Sequence, residues 1–317
     1  MTQPVLITVL GPTASGKTQR GVALAKALGG EIISGDSRQV YRGMDIGTGK
    51  DLAEYDGVPY HLIDIAPAGY KYNLYEYIRD ARKAINDIHG RGKVPIVVGG
   101  TGLYVETLLK GLYLPEVPEN KQLRQSLEHK SLAYLTEILS GMKTLHNVTD
   151  VDTPKRAIRA IEIATFYEKN PGMAPVRENA RPFESVNILI DIDRDERRKR
   201  ITERLYRRLE QGMVNEVRML LESGVAPDDL MYYGLEYKFI TAHIIGQLTY
   251  DEMVRQLEIA IHQFAKRQLT WFRGMERRGF NLHRLSFDMT EQEFIRNVTA
   301  LYETLLENQS AKSFENI

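Results

Sequence analysis

The chain has 317 residues, 42 basic against 42 acidic side chains, and no cysteine. That length allows a sizeable core and about two domains, and the missing cysteine excludes disulfides and thiolate metal sites. No apolar run approaches the roughly 20 residues that span a bilayer; MTQPVLITVL lacks the basic start of a signal peptide and reads as a buried strand, so no membrane contact and a cytoplasmic location are expected.

Val5 to Leu10 is rich in β-branched residues and ends at Gly11, the pattern of a central parallel strand. A helix follows and stops at Gly29-Gly30. EIISGDS is a short second strand running into a polar turn. Tyr60–Ile65 and Val94–Gly100 are two further strands, separated by an amphipathic helix from Asn73 to His89. This alternation predicts an α/β fold with a parallel, P-loop-type sheet core and flanking helices. Beyond Leu114 the Pro-rich LPEVPEN gives way to helical segments from about Lys121 to Tyr167, one starting at Thr153-Pro154. Residues 169–184 are loop-like, and Val186–Asp193 returns as a strand. The expected organisation is a core of 1–114 and 185–317 with a helical insertion over 115–184. The C-terminal part is expected to be helical, with helices at Glu196–Gln211 and Asp251–Trp271 and a frayed end.

GPTASGKT, Gly11 to Thr18, matches G-x-x-x-x-G-K-[ST] between a strand and a helix. Backbone N–H groups of such a loop curl around phosphate oxygens, and the helix N-terminus adds positive potential. Gly11, Thr13, Ala14, Ser15, Gly16, Lys17 and Thr18 are therefore the expected diphosphate cradle, with the Thr18 hydroxyl a Mg²⁺ ligand. ATP is the default ligand of such a loop, yet kinases, NTPases and enzymes with a diphosphate leaving group all share it.

Asp36 lies just past the carboxyl end of the second strand, the edge where open α/β sheets bind ligands. A carboxylate there accepts a proton from a nucleophile or binds Mg²⁺; equally, Asp36 and Ser37 suit the cap of a turn. Arg38 and Gln39 add donors, and Tyr41 offers a ring for stacking. In VVGGTGLYV a buried strand again ends in glycines, and Thr101 opens a helix at the same edge, as a reacting-group contact or as a plain N-cap.

Basic residues cluster despite the neutral total. Arg194–Gly212 carries an excess of Arg and Lys, and Ala265–Arg278 interleaves Lys266, Arg267, Arg273, Arg277 and Arg278 with Trp271 and Phe272. Such mixtures suit phosphate contact with base stacking, while the Arg194 stretch fits a solvated helix face at least as well. The seven histidines show no metal-site spacing, and His61 reads as structural.

Taken in order, GPTASGKT, DSRQVYRGMDIGT, HLIDI, VVGGTGLYV, KRAIRAIEI and AKRQLTWFRG resemble the tRNA dimethylallyltransferase (tRNA isopentenyltransferase) family, out to about residue 274. The resemblance implies transfer of a dimethylallyl group from dimethylallyl diphosphate to the exocyclic amine of the adenosine 3′ of the anticodon. The acceptors implied are tRNAs that read codons starting with U, bound through the anticodon stem-loop. It implies Mg²⁺ as cofactor, Lys17 and the P-loop on the leaving diphosphate, and Asp36 as general base. Thr101 would lie beside the reacting centre, and Asp36, Ser37, Arg38 and Gln39 would touch the target nucleotide. Arg124, Lys155, Arg156, Arg159, Lys266, Arg267 and Gln268 would contact tRNA, and Arg218 the donor. A monomer is expected. Two strings depart from the family: YYGLEYKFI stands for a GYKE-like string and GTGKDL for GTAKP. The competing expectations are a P-loop kinase of small molecules or nucleotides, an RNA-binding protein with a vestigial P-loop, and a prenyltransferase of free adenine nucleotides.

Overall fold

A computed structural model describes residues 3–112, 114–145, 149–174 and 181–315. The chain divides into two compact units, Met1–Gly111 with Arg181–Ile317, and Leu112–Ala180.

The larger unit is organised by β1 (Leu6–Leu10), β2 (Glu31–Ser34), β3 (Tyr60–His61), β4 (Pro95–Gly99), β5 (Ser185–Asp191) and β6 (Leu282–Ser286). They form one sheet in the order β3-β2-β4-β1-β5-β6, and every pairing is parallel. β1, β2 and β4 are buried along their whole length, which is why they read as unbroken apolar runs. β4 pairs with both β1 and β2, aligning Val98 with Val9 and with Ser34, so it lies between the P-loop strand and the strand leading to Asp36.

Helices α1 (Lys17–Leu28), α2 (Leu74–Gly90) and α3 (Gly102–Leu109) connect these strands. Asn73 begins α2 with a reciprocal capping box to Glu76. One core joins Ile7, Val9, Ile32, Ile96 and Ile188 of the sheet to Val22 and Leu24 of α1 and to Phe294 and Val298 near the C-terminus.

The smaller unit is helical: α4 (Lys121–Leu127), α5 (Leu132–Met142) and α6 (Pro154–Lys169). Leu127, Leu135, Leu139, Ala157, Ala160 and Ile161 make its own core. The expected start of α6 is present, with Thr153 accepting from the Arg156 N–H and Pro154 in the first turn. The remaining helices belong to the larger unit: α7 (Arg194–Glu210), α8 (Met213–Glu222), α9 (Pro227–Tyr232), α10 (Leu235–Ile244), α11 (Tyr250–Arg277) and α12 (Glu291–Glu315). Among the described residues no helix is long and apolar enough to cross a membrane.

Three elements differ from expectation. The strand expected over Tyr60–Ile65 stops at His61, because Leu62 and Asp64 take left-handed backbone conformations (φ 64° and 56°) that no strand accepts. The turn carries the Asp64 carboxylate onto the ammonium of Lys50, a lysine with no exposed side-chain surface. β6 was not expected, since LHRLS has only two apolar residues; it is an edge strand on β5 with alternating burial. The terminal segment expected to fray continues as α12 to Glu315. His61 is structural, its Nε2 sitting 2.7 Å from Glu31 Oε2.

Candidate active site

The carboxyl ends of β1, β2, β4 and β5 converge on one edge of the sheet, each followed by a segment that supplies a chemical group. After β1, the P-loop turns through Ala14 (φ 63°) and Gly16 (φ 72°) into α1. Gly16 is the residue before the helix and no side chain caps it, so the first N–H groups of α1 are directed by backbone shape alone. Lys17 Nζ lies 3.5 Å from Pro12 O, curled back over the loop.

After β2, Asp36 Oδ1 accepts from the Arg38 N–H at 2.8 Å, and Asp36 N–H donates to Ser34 Oγ at 3.2 Å. Asp36 therefore does cap its own turn, which holds its carboxylate at Oδ1, and Asp36 lines the cavity described below. Gln39 is buried and spans from Ser34 Oγ, which donates to it at 2.8 Å, to the Gly49 carbonyl at 3.0 Å.

β4 ends at Gly99, where a Cβ would overlap the backbone of Gly35; only glycine lets the two strand ends approach this closely. Thr101 precedes α3 without capping it; its Oγ1 instead accepts from the Ser37 N–H at 3.2 Å. The plain N-cap reading thus does not hold, and Thr101 braces the loop that carries Asp36.

β5 leads into α7, whose first turn is capped by Asp193. Arg200, Arg204, Arg207 and Arg208 of this helix line a cavity of about 240 Å³ together with Thr13 to Thr18, Asp36, Asp51, Glu54 and Gln268. Arg204 donates to Thr13 Oγ1, Arg200 to Ala14 O at 3.0 Å and Arg208 to Asp51 at 3.1 Å. Burial lowers the Lys17 pKa to about 8, helped by the Arg204 charge and opposed by Asp36. Burial likewise lowers Arg204 to about 9, with Arg208 adding repulsion. Glu54 is pushed up by burial and by Asp51. A site whose crowded, buried cations are destabilised in this way is relieved by an anion.

For a cation, the same wall offers the Thr18 hydroxyl and the carboxylates of Asp36, Asp51 and Glu54. Among the described residues no group of three or more His, Asp or Glu is placed to hold a metal ion. Such a sparse set of hard oxygen donors fits Mg²⁺ shared with phosphate oxygens better than a metal caged by protein alone.

Several groups that sequence reasoning missed shape this cavity. The α7 arginines recur at 200, 204, 207 and 208, one face of a helix, and that periodicity was the available signal. Glu216 of α8 takes the consecutive N–H groups of Asp45, Ile46 and Gly47 at 2.8, 2.7 and 3.0 Å, and also accepts from Tyr237 at 2.7 Å. This carboxylate holds the loop whose Thr48, Gly49 and Asp51 form one wall.

Gln268 is buried on α11, accepting from Thr13 N–H at 2.8 Å and donating to Gly100 O at 2.9 Å, so it ties the P-loop to the end of β4. Its neighbours Lys266 and Arg267 are exposed. Arg218 is exposed on α8 and does not line the cavity. Tyr41 is not available for stacking: it is fully buried, its ring centroid 4.3 Å from that of Tyr233.

In the smaller unit, Glu162 holds Arg124 at 2.8 Å and also pairs with Arg159, while Arg156 pairs with Asp152. Lys155 is exposed.

Comparison with known proteins places these features in context. The family model described as IPP transferase matches residues 39–275, and one described as isopentenyl transferase matches residues 4–56. A tRNA dimethylallyltransferase of Bacteroides fragilis is 58% identical, covering 92% of this chain and 96% of that protein. Two solved structures are similar throughout. The tRNA isopentenylpyrophosphate transferase of Bacillus halodurans has a TM-score of 0.73 and 32% identity over 98% of this chain and 100% of that one. The Staphylococcus epidermidis counterpart has a TM-score of 0.69 and 36% identity over 95% and 99%.

Proposed function

This chain belongs to the IPP transferase family, and we propose that it transfers a dimethylallyl group from dimethylallyl diphosphate to tRNA. The acceptor in this reading is the exocyclic amine of the adenosine 3′ of the anticodon, in tRNAs that read codons starting with U. The observation that carries the reading is the single cavity in which Asp36 faces the P-loop and the α7 arginines.

The amine nitrogen attacks C1 of the dimethylallyl group, the C1–O bond breaks, and its electron pair leaves on diphosphate. The amine loses one proton. Asp36 accepts it at Oδ2, the oxygen not held by the Arg38 N–H; a base matched to such a task contributes about 10²–10⁴-fold. The diphosphate settles against the P-loop N–H groups, Lys17 and Arg204, cations that burial and mutual repulsion destabilise and an anion relieves. Thr18 and a neighbouring carboxylate would hold Mg²⁺, which supplies neutralisation of the leaving group's charge. Because the target base is stacked in the loop, it must swing out to reach Asp36.

On the insertion, Arg156 and Lys155 are exposed and suit tRNA phosphates, as do Lys266 and Arg267 on α11. The test is incubation with labelled dimethylallyl diphosphate, Mg²⁺ and either tRNA or AMP, followed by nucleoside analysis. Label in adenosine of tRNA is expected; label in AMP alone, or phosphoryl transfer from ATP in its place, overturns the reading.

A further inference from the structure

Asp36 stands between two environments. One is the cation-lined cavity. The other is an aromatic cluster that the chemistry above leaves unused. Tyr104 belongs to that cluster, its ring centroid 4.6 Å from that of Tyr77 and its phenol pKa pushed up by burial. Arg38 joins the two environments: its backbone N–H holds Asp36 and its guanidinium reaches Tyr232, although Tyr232 is nearly 200 residues further along the chain.

Tyr232 is the outermost ring of a packed aromatic cluster. Tyr41 and Tyr233 are both buried with centroids 4.3 Å apart, and Tyr233 donates its hydroxyl to Tyr70 O at 2.6 Å. Tyr232 packs edge-on against Tyr233 at 5.9 Å and keeps 41% of its surface exposed. The guanidinium of Arg38 lies 5.2 Å from the Tyr232 ring centre. Arg38 makes no ion pair among the described residues, unlike Arg124 with its two carboxylates. Its backbone N–H is the group that orients Asp36.

An exposed ring held by buried neighbours loses little freedom on binding a partner, and a guanidinium beside it presents a second flat, cationic surface. Flat ligands with polar edges and nearby negative charge suit that pair, and unpaired nucleobases on a phosphate chain are such ligands. We propose that Tyr232 and Arg38 form a stacking platform for an unpaired nucleobase adjacent to the reacting adenosine. This rests on the tRNA reading above. The platform sets how the acceptor is held and leaves the donor site untouched, since neither side chain lines the diphosphate cavity.

The test is steady-state prenyl transfer by Tyr232→Ala, Tyr232→Phe and Arg38→Ala, varying tRNA and dimethylallyl diphosphate separately. Tyr232→Ala is expected to raise the KM for tRNA about 10-fold, the scale of one lost base–aromatic stack, with the donor KM unchanged. Tyr232→Phe keeps the ring and is expected to restore it. An anticodon stem-loop RNA lacking the neighbouring base is expected to weaken binding to the wild type but not further to Tyr232→Ala. An unchanged tRNA KM in Tyr232→Ala overturns the proposal. So does an equal rise in donor KM, which would mean that the ring acts only through packing. If the wild type itself fails to modify tRNA, the functional reading fails first, and the variants are not needed to show it.

Discussion

Two groups of arginines in this molecule live under opposite conditions. On α7, Arg204 and its neighbours crowd a cavity with Lys17, and burial with mutual repulsion lowers the Arg204 pKa to about 9. In the helical insertion, Arg124 is gripped by Glu162 and Glu119, and its pKa is raised by the Glu162 hydrogen bonds. Both are arginine-bearing helices in sequence. The contrast separates charge that organises a fold from charge that a ligand completes: Arg124 is paired within the protein, whereas on the cavity wall Arg208 has Asp51 but Lys17 and Arg204 bond to neutral oxygens of the P-loop, where an anion relieves them.

Removing Arg204 is the strongest way to break the comparison. Arg204→Ala is expected to raise the donor KM about 10- to 100-fold, the scale of a charge-assisted hydrogen bond. It is expected not to lower the melting temperature of the ligand-free protein, since a disfavoured buried charge has gone; a large loss of ligand-free stability would make Arg204 structural.

The pH dependence sharpens it. Lys17 is charged below about pH 8 and loses its proton above. Donor affinity in the free enzyme is therefore expected to fall as pH rises through about 8, towards tenfold per pH unit once one proton must be taken up on binding. For folding the sign is opposite. The lysine's pKa is lowered from 10.5 to about 8, so its cost to stability is present at pH 8 and below and disappears as pH rises towards 10.5. Calorimetric donor titrations across this range check the first, and chemical denaturation checks the second.

In the insertion the expectation reverses. Glu162 is 2% exposed and holds two arginines and the Asn120 N–H. Glu162→Gln is expected to cost about 1–2 kcal/mol of stability, read by urea denaturation, and to leave the donor KM unchanged.

How much of this was legible in the chain follows from distance along it. The P-loop and the turn at Asp36 are local arrangements, and residue types at fixed spacing specify them. The one-sided spacing of the α7 arginines was visible too, but a helix face does not say whether it meets water or a cavity. That depends on Thr13 and Ala14, about 190 residues away. Tyr41 looked like a stacking ring because nothing beside it in sequence reveals Tyr233, which buries it. Glu216 was illegible for the same reason: its partners are the backbone N–H groups of Asp45 to Gly47, and no side-chain pattern records them. The Tyr60–Ile65 strand failed differently, because Lys50 draws Asp64 out of the alternation that its neighbours suggest.

The central claim is that Asp36 takes the proton from the acceptor amine in a cavity that holds the leaving diphosphate. The most direct measurement is the single-turnover rate of Asp36→Asn at saturating donor and tRNA, with tRNA affinity measured separately. The account predicts a rate lower by about 10²–10⁴-fold with tRNA affinity close to that of the wild type. A rate near that of the wild type would contradict it.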